Sequence, residues 1–309
     1  MEADMKKLLF VFNPHSGKAQ IKNKLLSIVQ IFCEAGYELT IYPTKAPKDG
    51  YYYIIENGSK YDVIACSGGD GTLNETVGAV LKLDERIPIG YIPSGSTNDF
   101  ATTLRIPKNM IKSAQMITNG VKFSCDIGMM NGERNFNYIA AFGAFTKVSY
   151  ETSQQLKNML GHQAYIIEGV KSLTTLKPQY VKVKSDDYEV EGYFIYGMIS
   201  NSESVGGVKG ITGFGIDLQD GLFEVLLVRE LKGPLDIQRL INILVTQKYE
   251  EDGLVCYFKT KHIEFESDFD ISWTLDGEFG GDCRSAYFDI IEGAVDFIVP
   301  NQDIVHDKI

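Results

Sequence analysis

The sequence is short of the features that mark membrane-spanning, secreted and nucleic-acid-binding proteins. No apolar run in its 309 residues approaches the ~18 residues of a membrane span. Its five cysteines include no pair with metal-ligand or redox spacing, which favours a reduced, cytoplasmic setting. The formal net charge of −11 argues against nucleic acid as a partner. The short polar segment Met1–Lys7 does not resemble a signal peptide, so we expect a cytoplasmic protein.

The remaining composition is that of an ordinary globular chain long enough for two domains. Hydrophobic residues make up 44% and charged residues 23% of the sequence. Strands and helices alternate over residues 1–125, which predicts a parallel sheet flanked by helices. From 126 to 299 strands follow one another with little helix, which predicts a mainly antiparallel, β-sandwich-like domain. The tail, 300–309, could return to the first domain.

The element boundaries follow from the hydrophobic periodicity. The strands predicted in the first domain are 7–12, 37–42, 61–66, 87–92 and 121–127. Those predicted in the second domain are 180–184, 188–200, 222–229, 262–266, 271–275, 286–291 and 294–299. Long helical patterns cover 147–176 and 234–247.

One glycine-rich turn, Gly68-Gly69-Asp70-Gly71-Thr72, stands between a buried-type strand and a helical pattern. Its amides and the free N–H groups of the helix start favour an anion. Asp70 would repel a bare phosphate, so it needs a cation or a hydroxyl to face. The turn is therefore interpreted as part of a metal-nucleotide site, although a turn that only redirects the chain remains an alternative.

Two further polar loops follow strands of the same predicted sheet. They are Asn13-Pro14-His15-Ser16-Gly17-Lys18 and Gly95-Ser96-Thr97-Asn98-Asp99. In open α/β folds the loops after parallel strands meet at the carboxyl edge of the sheet, where ligands bind. The three loops together therefore predict one binding site.

In this order, the three loops resemble the diacylglycerol kinase catalytic superfamily, and most of all its bacterial soluble lipid kinases. The resemblance continues in 126–128, 217–222 and 275–278, so it covers nearly the whole chain. It implies an ATP-dependent transfer of the γ-phosphoryl group to the hydroxyl of a neutral lipid, foremost diacylglycerol to give phosphatidic acid. ATP would bind the first domain and lipid the second.

The resemblance also implies roles for individual residues. Lys18 and Mg²⁺ would spread the phosphate charge, and Asp70 and Asp126 would organise the metal through water. The residues implied to hold the nucleotide are Asn13, Pro14, His15, Ser16, Gly17, Thr44, Gly69, Asp70, Gly71, Thr72, Leu73, Asn74, Glu75 and Ser96.

A structural magnesium loop is implied at Asp217, Asp220 and the backbone carbonyl of Leu222. Two acids around a turn can converge on a hard cation whose remaining ligands are water. The spacing alone is equally compatible with a surface turn.

The pair Asp276 and Glu278 is implied to supply the general base, with Glu278 first and Asp276 second. Asp276 and Asp282 lie close to Glu278 in the sequence, which predicts a buried, acid-rich surrounding for it. A hairpin with Asp-Gly in its tight positions is the alternative explanation.

The sequence leaves other activities open. The alternatives are a kinase of another lipid such as a sphingoid base, a soluble-substrate enzyme like NAD kinase, and a non-catalytic nucleotide-binding module. NAD kinases share the Gly-Gly-Asp-Gly turn but lack the Asn-Pro-x-Ser-Gly-Lys opening.

Residues 145–185 contain six lysines against two glutamates, and this basic segment could face lipid headgroups or be a solvated helix face. We expect a peripheral protein acting transiently at the inner membrane face, and an exposed strand edge could pair two copies into a homodimer.

Overall fold

The computed structural model describes residues 5–17, 21–143, 170, 173, 176–202, 204–205, 208–209, 217–249 and 253–301. Lys18 and all of the predicted helix 147–176 except three single residues lie outside this set. Contacts divide the described chain into two compact units. The first unit takes in the residues up to Ile127 and those from Glu292 onward, and the second is Gly128–Ile291.

The first unit is an α/β domain with a parallel sheet. Its strands are β1 (Lys7–Phe12), β2 (Glu38–Pro43), β3 (Val63–Gly68), β4 (Ile89–Pro93) and the start of β5 (Val121–Met130). Four of them lie in the order β2-β1-β3-β4, and β4 also pairs in parallel with the C-terminal end of β15 (Glu278–Val299). Strand β3 is buried along its whole length, as expected for a parallel strand covered on both faces.

The helices of the first unit follow its strands. They are α1 (Ile21–Glu34), α2 (Asp49–Asn57), α3 (Asp70–Val80), α4 (Asp99–Thr103) and α5 (Met110–Asn119), with a 3₁₀ turn at Gly58–Lys60. The helix α1 buries Ile21, Ile28 and Phe32 at the spacing of one helix face. The β-α alternation predicted from the sequence is confirmed.

The second unit is built of antiparallel strands. They are β6 (Arg134–Phe136), β7 (Ile139–Phe142), β8 (Gln179–Ser185), β9 (Glu189–Ser200), β10 (Ser204–Val205), β11 (Val208–Lys209), β12 (Phe223–Arg229), β13 (Val255–Thr260), β14 (His262–Leu275) and most of β15. Its main path is β13-β12-β9-β7-β14-β15, while β8 pairs with both β9 and β14. The described part of the unit has one long helix, α6 (Pro234–Thr246). The predicted β-rich class is confirmed.

The core of the second unit is aromatic. The Trp273 ring lies 4.7 Å from Phe288, 5.0 Å from Phe265 and 5.2 Å from Phe142, measured between centroids. All four side chains are at most 1% exposed. The four rings come from β7, β14 and β15, so their packing holds together the strands around residues 275–278.

Several predicted boundaries are wrong. The strands predicted at 262–266 and 271–275 are one strand, β14, whose pairing with β15 shifts register between Glu266 and Ile271. The exposed residues of this irregularity interrupt the hydrophobic pattern. The strands predicted at 286–291 and 294–299 are likewise one strand, β15, of 22 residues. The short elements α4, β6, β7, β10 and β11 were not predicted, because segments of two to five residues give no clear periodicity. Strand β13 was also not predicted.

Residues 292–299, which we assigned to the second domain, pack with the first unit. Strand β15 runs on without a break, and its residue Phe297 pairs with Ile89 of β4. A change of domain inside one continuous strand leaves no compositional signal. All five cysteines are free thiols. Within the described ranges, no helix has both the length and the apolar character needed to cross a bilayer.

Candidate active site

Three loops leave neighbouring parallel strands of the first unit. Residues 13–17 follow β1, Gly69 connects β3 to α3, and residues 94–98 connect β4 to α4. Since β1, β3 and β4 lie side by side and parallel, the three loops lie at the same edge of the sheet. The predicted convergence of these loops is therefore present.

The loops touch one another through glycine backbone. A Cβ atom built on Gly17, where φ is +55°, would lie 2.2 Å from the carbonyl oxygen of Ser94. A Cβ on Gly95 would lie 2.5 Å from the Cα of Gly69. Any side chain at Gly17 or Gly95 would push two loops apart, so glycine is needed for the close approach.

Asp70 is the first residue of α3 and is partly buried. Its Oδ2 accepts a hydrogen bond of 2.9 Å from the backbone N–H of Asn98. The third loop therefore holds the Asp70 carboxylate at the N-terminal end of the helix, where the helix dipole favours negative charge.

Asn98 connects the third loop to the strands beneath it. Its Oδ1 accepts a hydrogen bond of 3.0 Å from the Gly95 N–H, and its Nδ2 donates one of 2.9 Å to the Gly95 carbonyl. The Tyr91 hydroxyl lies 3.1 Å from Asn98 Oδ1 and 3.1 Å from the Gly68 carbonyl oxygen, and it donates its one hydrogen to either acceptor. Burial, with the Asp70 charge adding to it, raises the pKa of Tyr91 well above its usual value, so the donor is always present.

The other residues predicted to hold nucleotide fall into two groups. Some are engaged within the fold: Asn13 Oδ1 accepts the N–H of His15 at 2.9 Å, and Glu75 Oε1 accepts the N–H of Lys48 at 2.8 Å. The Leu73 side chain is fully buried, so only its backbone could face a ligand. The other residues of the set keep partly or fully exposed surface, and they are Pro14, His15, Ser16, Gly17, Thr44, Gly69, Gly71, Thr72, Asn74 and Ser96.

Asp126 lies on β5 of the first unit and is fully buried. Its Oδ1 accepts a hydrogen bond of 2.7 Å from the N–H of Gly293, at the point where β15 has entered this unit. Two positions earlier, the Ser124 hydroxyl donates to Asp296 at 2.6 Å. Asp126 is thus a buried acid anchored to a neighbouring strand.

The two candidates for the general base, Asp276 and Glu278, lie in the second unit, on a tight hairpin between β14 and β15. Asp276 and Gly277 form the turn, and Leu275 pairs with Glu278. Asp276 is 7% exposed, whereas Glu278 is exposed. The prediction of a buried Glu278 is wrong, because the turn directs its aspartate inward and leaves the first residues of β15 at the surface.

The predicted magnesium loop, also in the second unit, consists of two short Asx turns. Asp217 Oδ1 accepts the N–H of Gln219 and Asp220 Oδ1 accepts that of Leu222, both at 3.0 Å. The ammonium of Lys259 lies 3.1 Å from Asp220 Oδ2. One oxygen of each aspartate is therefore engaged with the loop backbone, and a cationic side chain faces Asp220.

Lys259 also lies 2.9 Å from Oε1 of Glu224, which is only 1% exposed. Burial raises the pKa of Glu224 to about 7, although the Lys259 ammonium acts in the opposite direction. The two carboxylates raise the pKa of Lys259, against the effect of its own burial. Burial therefore favours the neutral form of Glu224, and the close Lys259 ammonium favours its ionised form.

Comparison with known proteins agrees with this arrangement. Residues 7–130 match the diacylglycerol kinase catalytic domain, and 140–299 match the YegS C-terminal NAD kinase beta sandwich-like domain. A diacylglycerol kinase of Bacillus subtilis (strain 168) is 32% identical over 279 residues, covering 90% of this chain and 91% of its own. One of Staphylococcus aureus (strain MRSA252) is 32% identical over 308 residues, covering 98% and 95%.

The chain belongs to the diacylglycerol kinase family. A solved structure of a diacylglycerol kinase from Bacillus anthracis (strain Sterne) superimposes with a TM-score of 0.79 at 25% identity, covering 97% of this chain and 99% of the other. The chain is therefore a lipid kinase, with ATP as its co-substrate. This confirms the family, the fold class and the kinase activity predicted from the sequence, and it disfavours the soluble-substrate and non-catalytic alternatives.

The family implies Mg²⁺ as the metal of this kinase. Among the described residues no group of three or more His, Cys, Asp or Glu side chains could hold a metal ion. Asp217, Asp220 and the Leu222 carbonyl offer hard oxygen atoms, which suit a hydrated ion with few protein ligands. The set fits Mg²⁺ in its chemistry, and the Lys259 ammonium contacts one of its oxygen atoms, Oδ2 of Asp220.

The structure brings together the three loops of the kinase's first unit and, separately, places the hairpin and the Asp217–Leu222 loop in the second. Sequence reasoning missed Tyr91, Asn98, Glu224 and Lys259 as supporting residues. Asn98 stood inside a recognised motif, and its positive φ of 53° is a conformation that asparagine tolerates. Tyr91 and Glu224 gave no signal, because each stands within a strand among apolar residues.

Proposed function

We propose that the enzyme transfers the γ-phosphoryl group of ATP to the free hydroxyl of diacylglycerol and so forms phosphatidic acid. The observation that carries the assignment of the catalytic centre is the Asp70 carboxylate, fixed by the N–H of Asn98 beside three glycine-lined loops. A carboxylate among backbone amides suits a nucleotide that arrives with a metal cation. The names of the matched relatives support diacylglycerol as the acceptor.

The loops of the first unit would bind the triphosphate through backbone N–H groups. Gly17, Gly69 and Gly95 leave the backbone open to close approach, and the start of α3 adds helix-terminal amides. Mg²⁺ bound with ATP would neutralise phosphate charge as the phosphoryl group moves. Asp70 would orient that cation or its water, and Asp126, anchored on β5, would act beside it.

Glu278 is the residue we assign as general base. Its carboxylate is exposed, so a lipid hydroxyl can reach it, and a base must come within about 2.6–3.2 Å of the proton that it takes. Glu278 would remove the proton of the attacking hydroxyl as the oxygen bonds to the γ-phosphorus and ADP leaves.

Asp217, Asp220 and the Leu222 carbonyl would hold a structural Mg²⁺, as the family resemblance implies. Because the substrate is a lipid, we also propose that the enzyme meets it peripherally at a membrane surface. Formation of a homodimer stays a prediction.

The acceptor is tested by assaying the purified chain with radiolabelled ATP on detergent-dispersed diacylglycerol, monoacylglycerol, ceramide and a sphingoid base. We expect diacylglycerol to give the highest kcat/KM, with phosphatidic acid as the product. A higher kcat/KM for ceramide or the sphingoid base would overturn the substrate while leaving the lipid kinase intact.

The role of Asp70 is tested with Asp70→Asn, which keeps the shape of the side chain and removes its charge. We expect kcat to fall about 10²-fold or more, because a preorganised charge at the reacting centre is lost. The matched control is Asp84→Asn, which removes one charge from an exposed position after α3. Turnover near that of the control would contradict the assignment.

The role of Glu278 is tested with Glu278→Gln. We expect the rate to fall by roughly 10²–10⁴ with ATP affinity unchanged, because a general base contributes that much and makes no ground-state contact with ATP. Glu266→Gln, at an exposed position of β14, is the matched control. A mutant that keeps both its rate and the acidic limb of its pH profile would show that Glu278 is not the base.

A further inference from the structure

The hairpin that carries Glu278 has a tight turn in which the side chain of Asp276 is buried. Asp276 and Gly277 have φ of 49° and 83°, the left-handed conformations that a two-residue type I′ turn requires. Asp-Gly is a preferred sequence for that turn, which explains these two residues as far as the backbone is concerned. A turn residue at a hairpin tip would ordinarily expose its side chain to water, yet Asp276 is 7% exposed.

The Asp276 carboxylate is buried because three successive backbone amides surround it. Its Oδ2 accepts the N–H of Asn137 at 2.7 Å, and its Oδ1 accepts those of Tyr138 at 3.0 Å and Ile139 at 3.1 Å. Consecutive N–H groups that converge in this way form an anion-binding concavity. Bonds from N–H to an ionised carboxylate are also stronger than those to a neutral acceptor.

The backbone of Asp276 adds two more bonds to the same segment. Its N–H donates to the Ile139 carbonyl at 2.8 Å, and its carbonyl accepts the Tyr138 hydroxyl at 3.0 Å. Five hydrogen bonds thus join one residue to three consecutive residues. Asn137, Tyr138 and Ile139 are each at most 5% exposed, so no solvent could replace these bonds.

This arrangement separates the two candidate bases. A base must turn a carboxylate oxygen toward the substrate hydroxyl. For Asp276 to do so, it would have to release three buried backbone amides that now donate to its carboxylate, which is costly. The carboxylate of Glu278, two residues on, is exposed and so is accessible to a substrate hydroxyl.

We propose that Asp276 is a positioning residue, whose carboxylate locks the Glu278 hairpin onto the Asn137–Ile139 backbone, and that it is not the base. Residue Ile139 begins β7, which pairs with β9 on one side and with β14 on the other. The anchor therefore fixes where β15 begins, and with it the Glu278 side chain. The link to catalysis rests on the proposed role of Glu278, whereas the anchoring itself does not.

The anchoring is tested by amide hydrogen exchange on the full chain. In the wild type we expect the N–H groups of Asn137, Tyr138 and Ile139 to exchange as slowly as those of the β14–β15 pair. In Asp276→Asn, whose side chain offers one acceptor oxygen without a full charge, we expect at least tenfold faster exchange at those three amides. Asp282→Asn, at an exposed position of β15, is the matched control and should leave them unchanged.

Kinetics on dispersed diacylglycerol then separate positioning from base catalysis. For Asp276→Asn we expect kcat to fall tenfold to a hundredfold, with KM for ATP unchanged and the acidic limb of the pH profile retained. Loss of that limb in Asp276→Asn, with its retention in Glu278→Gln, would make Asp276 the base and overturn the proposal. Fast exchange of the three amides in the wild type would overturn the anchor, whatever the activity.

One further variant guards the test against misfolding, and a joint outcome separates failure of the anchor from failure of the proposed function. Tyr138→Phe removes the hydroxyl bond to the Asp276 carbonyl and keeps the three amides of the anchor, so it should speed exchange less than Asp276→Asn does. If neither Asp276→Asn nor Glu278→Gln alters turnover while the exchange result holds, the assignment of Glu278 fails and the anchor stands. If Asp276→Asn leaves the exchange of the three amides unchanged, the anchor itself is refuted.

Discussion

Replacing Asn98 should both destabilise the first unit and loosen the Asp70 carboxylate. Asn98→Ala removes the acceptor of the Gly95 N–H, the donor to the Gly95 carbonyl and one acceptor of the Tyr91 hydroxyl. The Tyr91 hydroxyl keeps the Gly68 carbonyl as its acceptor, so the main loss is at Gly95. Alanine must also adopt the φ of 53° that asparagine holds here.

The expected magnitude is the sum of two effects. An N–H left without a partner costs about 1–3 kcal/mol, and the low end applies because Gly95 is only partly buried. An alanine in the left-handed conformation costs roughly 1–2 kcal/mol. Together the two effects should lower the free energy of unfolding of Asn98→Ala by about 2–3 kcal/mol.

Two companion variants separate these effects. Asn98→Gly carries no conformational penalty, so it should be about 1–2 kcal/mol more stable than Asn98→Ala. Asn98→Asp keeps the oxygen facing Gly95 and Tyr91 but places a like charge beside Asp70, so it should retain more stability than activity. Urea unfolding of each variant, followed with the kcat on diacylglycerol, measures both quantities. Equal stability of the wild type, Asn98→Ala and Asn98→Gly would refute the assigned network.

The remaining predictions concern both units. Lys259→Met should increase the rise in melting temperature caused by Mg²⁺, because the ammonium no longer competes for Asp220; an unchanged Mg²⁺ response would contradict the predicted metal loop. Burial lowers the pKa of His262, but hydrogen bonds to the carboxylates of Asp289 and Glu264 outweigh it, so the pKa is raised. Protonation of His262 therefore stabilises the folded chain, fully below pH ~6.5. That stabilisation is lost as the pH rises through the raised pKa. His262→Gln should therefore lower the melting temperature more at pH 5.5 than at pH 8.5, and an equal loss at both would refute the reasoning. Gly17→Ala should weaken ATP binding at least tenfold, measured by calorimetry, since its Cβ would meet the Ser94 carbonyl; unchanged affinity would show that the loop contact is dispensable.

Local sequence was enough for the β-α alternation of the first unit. The apolar runs at 7–12 and 61–66 predict strands buried on both faces of a sheet, and the glycines after them permit the tight turns into the following segments. Motif order then indicated the kinase family. These features depend on residues that are neighbours in the sequence, so the sequence alone is enough to predict them.

The tertiary structure decided which candidate side chains are free to act. In sequence, Asp276 and Glu278 are two acids two positions apart, and nothing near them shows that one is bound by amides about 138 positions away. Asn98 likewise gains its role only because β3 and β4 lie side by side and bring Gly68, Asp70 and Gly95 to one sheet edge. Hydrogen bonds between residues distant in the chain have no periodicity, and their geometry exists only once the strands have paired.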